Sequence, residues 1–143
     1  MTDEAKTQTQ GGGKPDMGPS SGVTPYLTIR DGRGDEASKF YQEAFGAEEL
    51  FRMPAEDGKR LMHCHLKING ASVMFSDDFR GTPEPAGIAI HLGVDDARAW
   101  GRRATDAGAE VIMPIEEQFW GDVFGEVRDP FGHRWAISSR KKG

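Results

Sequence analysis

Three of the four histidines in the chain occur where strand alternation would bring them to one face of a sheet. His63 and His65 are two positions apart in a run that alternates between apolar and polar residues. His91 lies on the polar side of a later alternating run. Residues i and i+2 of a strand project from the same face, about 6.6–7 Å apart, so two such imidazoles can reach one ligand. Imidazole nitrogens act as general acids and bases, as hydrogen-bonding groups and as metal ligands. The spacing therefore predicts a polar site on this face.

Two interpretations of these histidines remain open. In one, His63, His65 and His91 bind a divalent metal, zinc, iron or manganese, in a lyase, isomerase or dioxygenase. In the other, they are hydrogen-bonding groups in a wet pocket that binds a small organic molecule with no cofactor. We expect His63 to matter most, as a group that contacts the ligand or as the general base of an enzyme without a cofactor.

Four further residues are candidates for ligand contacts. Tyr26 lies on the polar face of the first predicted strand. Gln118 and Trp120 lie in one loop, where exposed aromatic rings can stack on a ligand at small entropic cost. The same loop could instead plug the mouth of a cavity or line a dimer interface. Arg128 offers a guanidinium to an anionic ligand or to a surface ion pair.

The elements that must position these residues occur twice. An amphipathic helix is predicted for residues 35–45, with Asp35 as its cap, and a second helix for residues 95–107. Each helix ends at a glycine that is followed by Ala-Glu, and Gly46 lies at a C-terminal stop where a left-handed residue is expected. The repeat spacing of about sixty residues exceeds that of solenoid repeats and favours a duplicated module.

Strands precede and follow each predicted helix. They cover residues 23–29, 47–53, 61–68 and 71–76 in the first module and residues 87–94, 109–115, 122–128 and 133–139 in the second. Asn69-Gly70 predicts a tight hairpin. Each strand has an apolar side for a helix and a polar or small side. We therefore predict an α+β fold in which duplicated βαβββ modules, about 23–76 and 87–139, form a curved mixed sheet around a cavity.

The composition of the chain indicates where its folded domain begins and which binding partners it lacks. Residues 1–22 are polar and rich in Gly and Pro and are expected to be disordered, whereas residues 23–143 are expected to form a single domain. The net charge of −5 argues against a nucleic-acid or membrane partner.

The single cysteine excludes a disulfide within one chain, and no apolar run reaches membrane-spanning length. With no signal-peptide pattern, we expect a cytoplasmic protein.

Several motifs resemble the vicinal oxygen chelate superfamily, which includes glyoxalase I, extradiol dioxygenases, fosfomycin-resistance enzymes and bleomycin-binding proteins. The nearest likeness is to its PhnB-like branch of glyoxalase/bleomycin-resistance type. The residues that carry it are Pro25-Tyr26-Leu27, Phe40-Tyr41-Gln42-Glu43-Ala44-Phe45-Gly46-Ala47, Met62-His63, Met113-Pro114, Gln118-Phe119-Trp120-Gly121-Asp122 and Arg128-Asp129-Pro130-Phe131-Gly132-His133-Arg134-Trp135.

The resemblance has three implications for this chain. It implies the fold of the glyoxalase, bleomycin-resistance and dihydroxybiphenyl dioxygenase proteins. Metal-dependent members take ligands from the first, fifth and eighth strands, and the matching positions fall near Thr24 and at Ala89 and Ala136, which lack the usual donors. The resemblance thus favours small-molecule binding without a metal. Because members usually dimerise, it also implies a homodimer.

Overall fold

The computed structural model of the chain describes residues 15–141, and this range contains eight strands and two helices. Their order is β1 (Tyr26–Ile29), α1 (Gly34–Phe45), β2 (Glu48–Pro54), β3 (Leu61–Ile68), β4 (Ala71–Asp77), β5 (Ala89–Gly93), α2 (Ala97–Ala107), β6 (Glu110–Glu117), β7 (Asp122–Arg128) and β8 (Arg134–Arg140). The α+β class and the duplicated βαβββ order are confirmed.

The described residues divide into two compact units. The first comprises the chain up to Gln42 together with Gly46–Thr82, and the second comprises Glu43–Phe45 and the chain from Pro83 onward. The first unit contains a four-stranded sheet of order β1-β4-β3-β2, and the second contains one of order β5-β8-β7-β6. In each sheet the first pair of strands is parallel and the other two pairs are antiparallel.

The core of the first unit lies between α1 and one face of its sheet. The predicted stripe of the helix is buried, and so are the β3 residues Cys64, Leu66 and Ile68, which alternate with the histidines. The turn at Asn69-Gly70 has positive φ at both residues, 51° and 82°. Such angles are those of the tight hairpin that the dipeptide predicts. The register of β3 and β4, and with it the face of each histidine, is therefore fixed locally.

The start of α1 differs from the prediction. The helix begins at Gly34. Asp35, the cap predicted from the sequence, lies in the first turn and pairs with Arg52 at 2.9 Å. The capping acceptor is Asp77 instead, because its carboxylate accepts hydrogen bonds from the amides of Gly34, at 2.8 Å, and Leu61, at 2.7 Å. Burial raises the pKa of Asp77, and the two amide donors oppose that rise. One buried side chain therefore joins the ends of three elements.

The core of the second unit is built on aromatic residues. Trp135 and Ile137 of β8 are fully buried, and Phe45 packs on Trp135 with ring centroids 4.7 Å apart. The helix α2 is capped by Asp96, whose side chain accepts from the amide of Ala99 at 3.1 Å. This packing holds β8 and its neighbour β5 in place, and on the other face of the sheet Ala89, His91 and Gly93 of β5 are exposed.

Some strand boundaries differ from the predicted ones by a few residues. β1 and β5 are shorter than predicted, because both begin after turn or coil residues. Residues 1–14 lie outside the described residues, and the expected disorder of residues 1–22 stays a prediction. Residues 15–22 form neither helix nor strand, although Asp16 and Met17 contact β3, as shown below. No helix of residues 15–141 has the length and apolar character to cross a bilayer.

Candidate functional site

The first sheet carries a group of polar and aromatic side chains on the face opposite α1. His63 and His65 alternate with the helix-facing residues of β3, so both project from this open face. The register places His65 between Phe51 of β2 and Met74 of β4, and Tyr26 of β1 beside Met74. The face thus combines imidazole, phenol, phenyl and thioether groups.

Tyr26 and His63, two residues predicted for the site, are in direct contact. The Tyr26 hydroxyl lies 2.9 Å from His63 Nδ1, and the two rings stack with centroids 5.6 Å apart. The other nitrogen, Nε2, lies 2.6 Å from the Met17 carbonyl oxygen. A carbonyl can only accept, so Nε2 carries the hydrogen, and in the neutral ring Nδ1 accepts from the Tyr26 hydroxyl. This pair fixes the tautomer of His63.

His65 has the opposite tautomer. Its Nδ1 lies 2.7 Å from the carbonyl oxygen of Asp16, so Nδ1 donates. Its Nε2 lies 2.8 Å from the Ser72 hydroxyl, which donates to it in the neutral ring. Only 2 % of His65 is exposed. Each of the two histidines therefore presents one N–H donor to a backbone carbonyl of residues 16–17.

Partial burial sets the protonation of the phenol in this group. Burial raises the pKa of Tyr26 above its usual 10.0, while a hydrogen bond with Ser76 lowers it. The phenol is therefore protonated at neutral pH and can donate to His63. The arrangement provides two fixed N–H donors above an aromatic and thioether surface.

The open face of the second sheet carries a row of aromatic rings. The rings of His91 and Phe124 have centroids 6.4 Å apart, and those of Phe124 and Trp120 lie 5.8 Å apart. Trp120 is held by a hydrogen bond from Nε1 to the carboxylate of Asp122 at 3.2 Å, yet it is 50 % exposed. Its neighbour Phe119 is 96 % exposed. Fixed, exposed rings of this kind are suited to stacking against a ligand.

The two other predicted site residues in this unit have structural contacts. The side-chain amide of Gln118 donates to the carbonyls of Glu116 and Phe124, each at 3.2 Å, and so holds the turn between β6 and β7. Arg128 forms a long ion pair with Glu110, at 3.7 Å. Both side chains stay partly accessible despite these contacts, since Arg128 and Gln118 are each half-buried.

The predicted site residues therefore fall into two groups. Tyr26, His63 and His65 meet on the first sheet, and the second unit holds His91, Gln118, Trp120 and Arg128. The grouping of His91 with His63 and His65 stays a prediction. Sequence reasoning missed Asp16 and Met17, because they lie in a segment without apolar periodicity, and it missed Phe124, although strand parity places Phe124 on the open face.

In this chain, the positions that match the metal-binding positions of similar folds do not carry metal-binding side chains. Ala89 and Ala136 lie on β5 and β8, where Ala136 is paired with His91, and Thr24 precedes β1. An alanine side chain has no ligand atom, so this set does not fit a site that needs about three N or O donors. Within residues 15–141, no group of three or more His, Cys, Asp or Glu residues could hold a metal ion. The alternative ligand set of His63, His65 and His91 stays a prediction.

The chain has two βαβββ modules. Each has a helix on one face of a four-stranded sheet and polar or aromatic residues on the other, and this arrangement defines the α+β class of paired-module proteins. The chain belongs to the Glyoxalase/Bleomycin resistance protein/Dioxygenase superfamily, whose family model matches residues 24–137. The resemblance noted in the sequence is thereby confirmed.

Comparison with individual proteins agrees with this family. A protein of Mycobacterium bovis with no assigned function is 43 % identical over 125 residues, which cover 80 % of each chain. The crystal structure of protein PA1353 from Pseudomonas aeruginosa superposes with a TM-score of 0.68 at 29 % identity, over 86 % of this chain and 100 % of the other. A PhnB protein from Bacillus cereus has the same TM-score at 18 % identity, over 83 % and 99 %, and shows the shared fold alone.

Proposed function

We propose that this protein binds a small organic molecule on the open face of the first sheet and that binding needs no metal. The observation that carries the proposal is the use of the two histidine N–H groups. His63 Nε2 and His65 Nδ1 are directed away from the sheet, toward carbonyl oxygens of a segment with no regular structure. When this segment moves off the sheet, donors in this position can serve an acceptor group of a ligand instead.

The surroundings of the donors have the composition of a ligand site. Ligand pockets are largely apolar and aromatic, with a few fixed polar groups that set the orientation. Tyr26, Phe51 and Met74 supply the apolar surface, and the Tyr26 hydroxyl fixes the tautomer of His63. The Trp120, Phe124 and His91 row on the second sheet is a stacking surface of its own unit. An aromatic molecule with hydrogen-bond acceptors matches the donors and the rings of the first sheet.

A ligand screen with matched variants tests the proposal. Thermal shift should be measured with a panel of aromatic amides and imides on the wild type, on His63→Ala and on His133→Ala, which changes a histidine in a turn of the second unit. Active compounds should raise Tm for the wild type and for His133→Ala and should lose their effect in His63→Ala. A panel without active compounds, or active compounds indifferent to His63, would contradict the proposal.

The metal-dependent alternative has its own test. If His63, His65 and His91 held zinc, iron or manganese in a lyase, isomerase or dioxygenase, both β3 histidines would have to give up a present hydrogen bond. Elemental analysis of protein prepared without a histidine tag should find less than one such ion per chain. A stoichiometric metal that disappears in His63→Ala would favour this enzyme over metal-free binding.

We also infer a homodimer in the cytoplasm. The edge strand β6 supports the first part, because its outer side is unpaired within the sheet and Val111, Ile112 and Met113 are exposed. Exposed apolar edges commonly mark contacts with another chain. Light scattering coupled to size exclusion should give about twice the mass of one chain, and Ile112→Lys should lower it. A monomeric wild type would contradict the inference.

A further inference from the structure

We propose that the site takes ligands with two neighbouring carbonyl-type acceptors and that Asp16, Met17 and Gly18 compete with such ligands for it. This inference rests on the proposed function, since it names the ligand chemistry of the same face and a competitor within the chain. We call residues 16–18 the strap.

The first observation is what the strap places on the histidines. The carbonyl of Met17 accepts from His63 Nε2 at 2.6 Å, and the carbonyl of Asp16 accepts from His65 Nδ1 at 2.7 Å. Two consecutive peptide carbonyls thus satisfy two N–H donors that stand two residues apart on β3. The Asp16 carboxylate lies 3.3 Å from the same His65 nitrogen and adds to the attraction if that ring is protonated. The chemistry that the face already accommodates is that of a diamide.

The second observation is how closely the strap approaches the sheet. Gly18 has φ 128°, a backbone conformation that residues with side chains rarely adopt. A Cβ on Gly18 would overlap the Sδ atom of Met74, the residue that the register places beside His65. The positive φ is therefore the main reason that position 18 needs glycine, and the contact with the flexible end of Met74 adds to it. Gly22 also has a positive φ, 82°, but a Cβ there would meet no atom within 4 Å.

Competition follows from these contacts. Residues 15–25 form neither helix nor strand, so no ladder of backbone hydrogen bonds holds the strap to β3. An external molecule can replace its two carbonyls only in chains whose strap is released. The apparent dissociation constant then equals the intrinsic one divided by the released fraction, so a strap that is released in about one chain in ten weakens binding about tenfold.

A pair of glycine substitutions separates the strap from general effects on the segment. Gly18→Val should release the strap, because a β-branched residue is strained at this φ and would in addition displace the Met74 thioether. Gly22→Val imposes the same kind of φ strain four residues outside the strap, where the side chain meets no atom, and so controls for strain elsewhere in the segment. Diethyl pyrocarbonate acylates free imidazole nitrogens, and mass spectrometry reports the rate at each histidine. Modification of His63 and His65 should be at least about fivefold faster in Gly18→Val, and His91 should keep its rate.

The ligand class is tested with a defined probe. N-acetylglycine N-methylamide carries two amide carbonyls, and its binding can be followed by the histidine side-chain resonances of all three proteins. It should bind Gly18→Val about tenfold more tightly than it binds the wild type and Gly22→Val. Equal histidine modification in Gly18→Val and the wild type would overturn the strap. Faster modification without tighter binding of the diamide would overturn the ligand class, whereas the aromatic panel and His63→Ala decide the proposed function independently.

Discussion

The hydroxyl of Tyr26 lies 2.9 Å from Nδ1 of His63, and it joins β1 to β3 across the open face of the first sheet. Register places Tyr26 beside Met74, so its side chain reaches past β4 to contact a residue two strands away. The pair is therefore a tertiary contact, and it leaves Nε2 of His63 as the donor that points outward.

A double-mutant cycle should detect the Tyr26–His63 hydrogen bond. Tyr26→Phe keeps the stacked ring and removes the hydroxyl, and His63→Ala removes its partner. We expect a coupling energy of about 0.5–1.5 kcal/mol in the free energy of unfolding, because that is the net value of one such hydrogen bond. Urea denaturation of the four proteins measures it. Tyr26→Phe combined with Lys39→Ala, on the outer face of α1, should be additive, and additivity in the first cycle would refute the pair.

Arg52 should stabilise the protein in a pH-dependent manner. It pairs with Glu49 and Asp35, each at 2.9 Å, in a largely buried position between α1 and the sheet. The hydrogen bond from Arg52 lowers the pKa of Asp35. Burial alone would raise the pKa of Glu49, but hydrogen bonds from Arg52 and Ser38 outweigh burial and lower it. Arg52→Leu should cost about 3 kcal/mol at pH 7, because it leaves a buried carboxylate without its cation.

The sign of the pH effect follows from the lowered pKa values. Carboxyls with depressed pKa values contribute stability above about pH 5 and lose it as the pH falls through their folded-state values. The gap in unfolding free energy between wild type and Arg52→Leu should therefore be full at pH 7 and shrink below about pH 4. Lys39→Ala removes an exposed partner of the same Asp35 and should cost less than about 0.5 kcal/mol. A gap that is constant with pH would contradict this account.

Asp77 should matter more to stability than Asp96, although both carboxylates accept from helix N-terminal amides. Asp77 is 1 % exposed, and Asp77→Ala would leave the amides of Gly34 and Leu61 buried without an acceptor. We expect a loss of about 2–4 kcal/mol, since each orphaned donor costs about 1–3 kcal/mol. Asp96→Ala removes an exposed cap and should cost about 1 kcal/mol. Chemical denaturation compares the two, and equal losses would show that Asp77 does not join three elements.

Gly125 and Gly93, two strand glycines, should differ in how much an added methyl group destabilises the protein. A Cβ on Gly125 of β7 would lie 2.6 Å and 2.7 Å from the Cα and N atoms of Ile115, so Gly125→Ala must displace backbone. We expect a loss of about 1–3 kcal/mol, the usual cost of overpacking. Gly93 of β5 has nothing within 4 Å of its Cβ position, and Gly93→Ala should change the unfolding free energy by no more than about 0.5 kcal/mol. Thermal denaturation ranks them, and a harmless Gly125→Ala would disprove the close approach.

The sequence predicted the fold well where short-range patterns decide structure. The bounds of β3 and β7 match the prediction because alternation and turn residues mark both ends of each run. The duplicated helix with its glycine stop was visible for the same reason, and the repeat fixed the order of the elements. The cap of α1 was misassigned to Asp35, because nothing local shows that Asp77, more than forty residues away, reaches the helix start.

For the site, the sequence alone determined that His63 and His65 share a face, because the period of a strand is two residues whatever lies around it. Only the tertiary structure decided what each imidazole contacts. The partners of His63 are Tyr26 and Met17, which lie 37 and 46 residues away in the chain. Contacts over such separations depend on which strands pair and on where an irregular segment lies against the sheet. Periodicity carries no information about either, so the tautomers and the strap could be learned only from the folded chain.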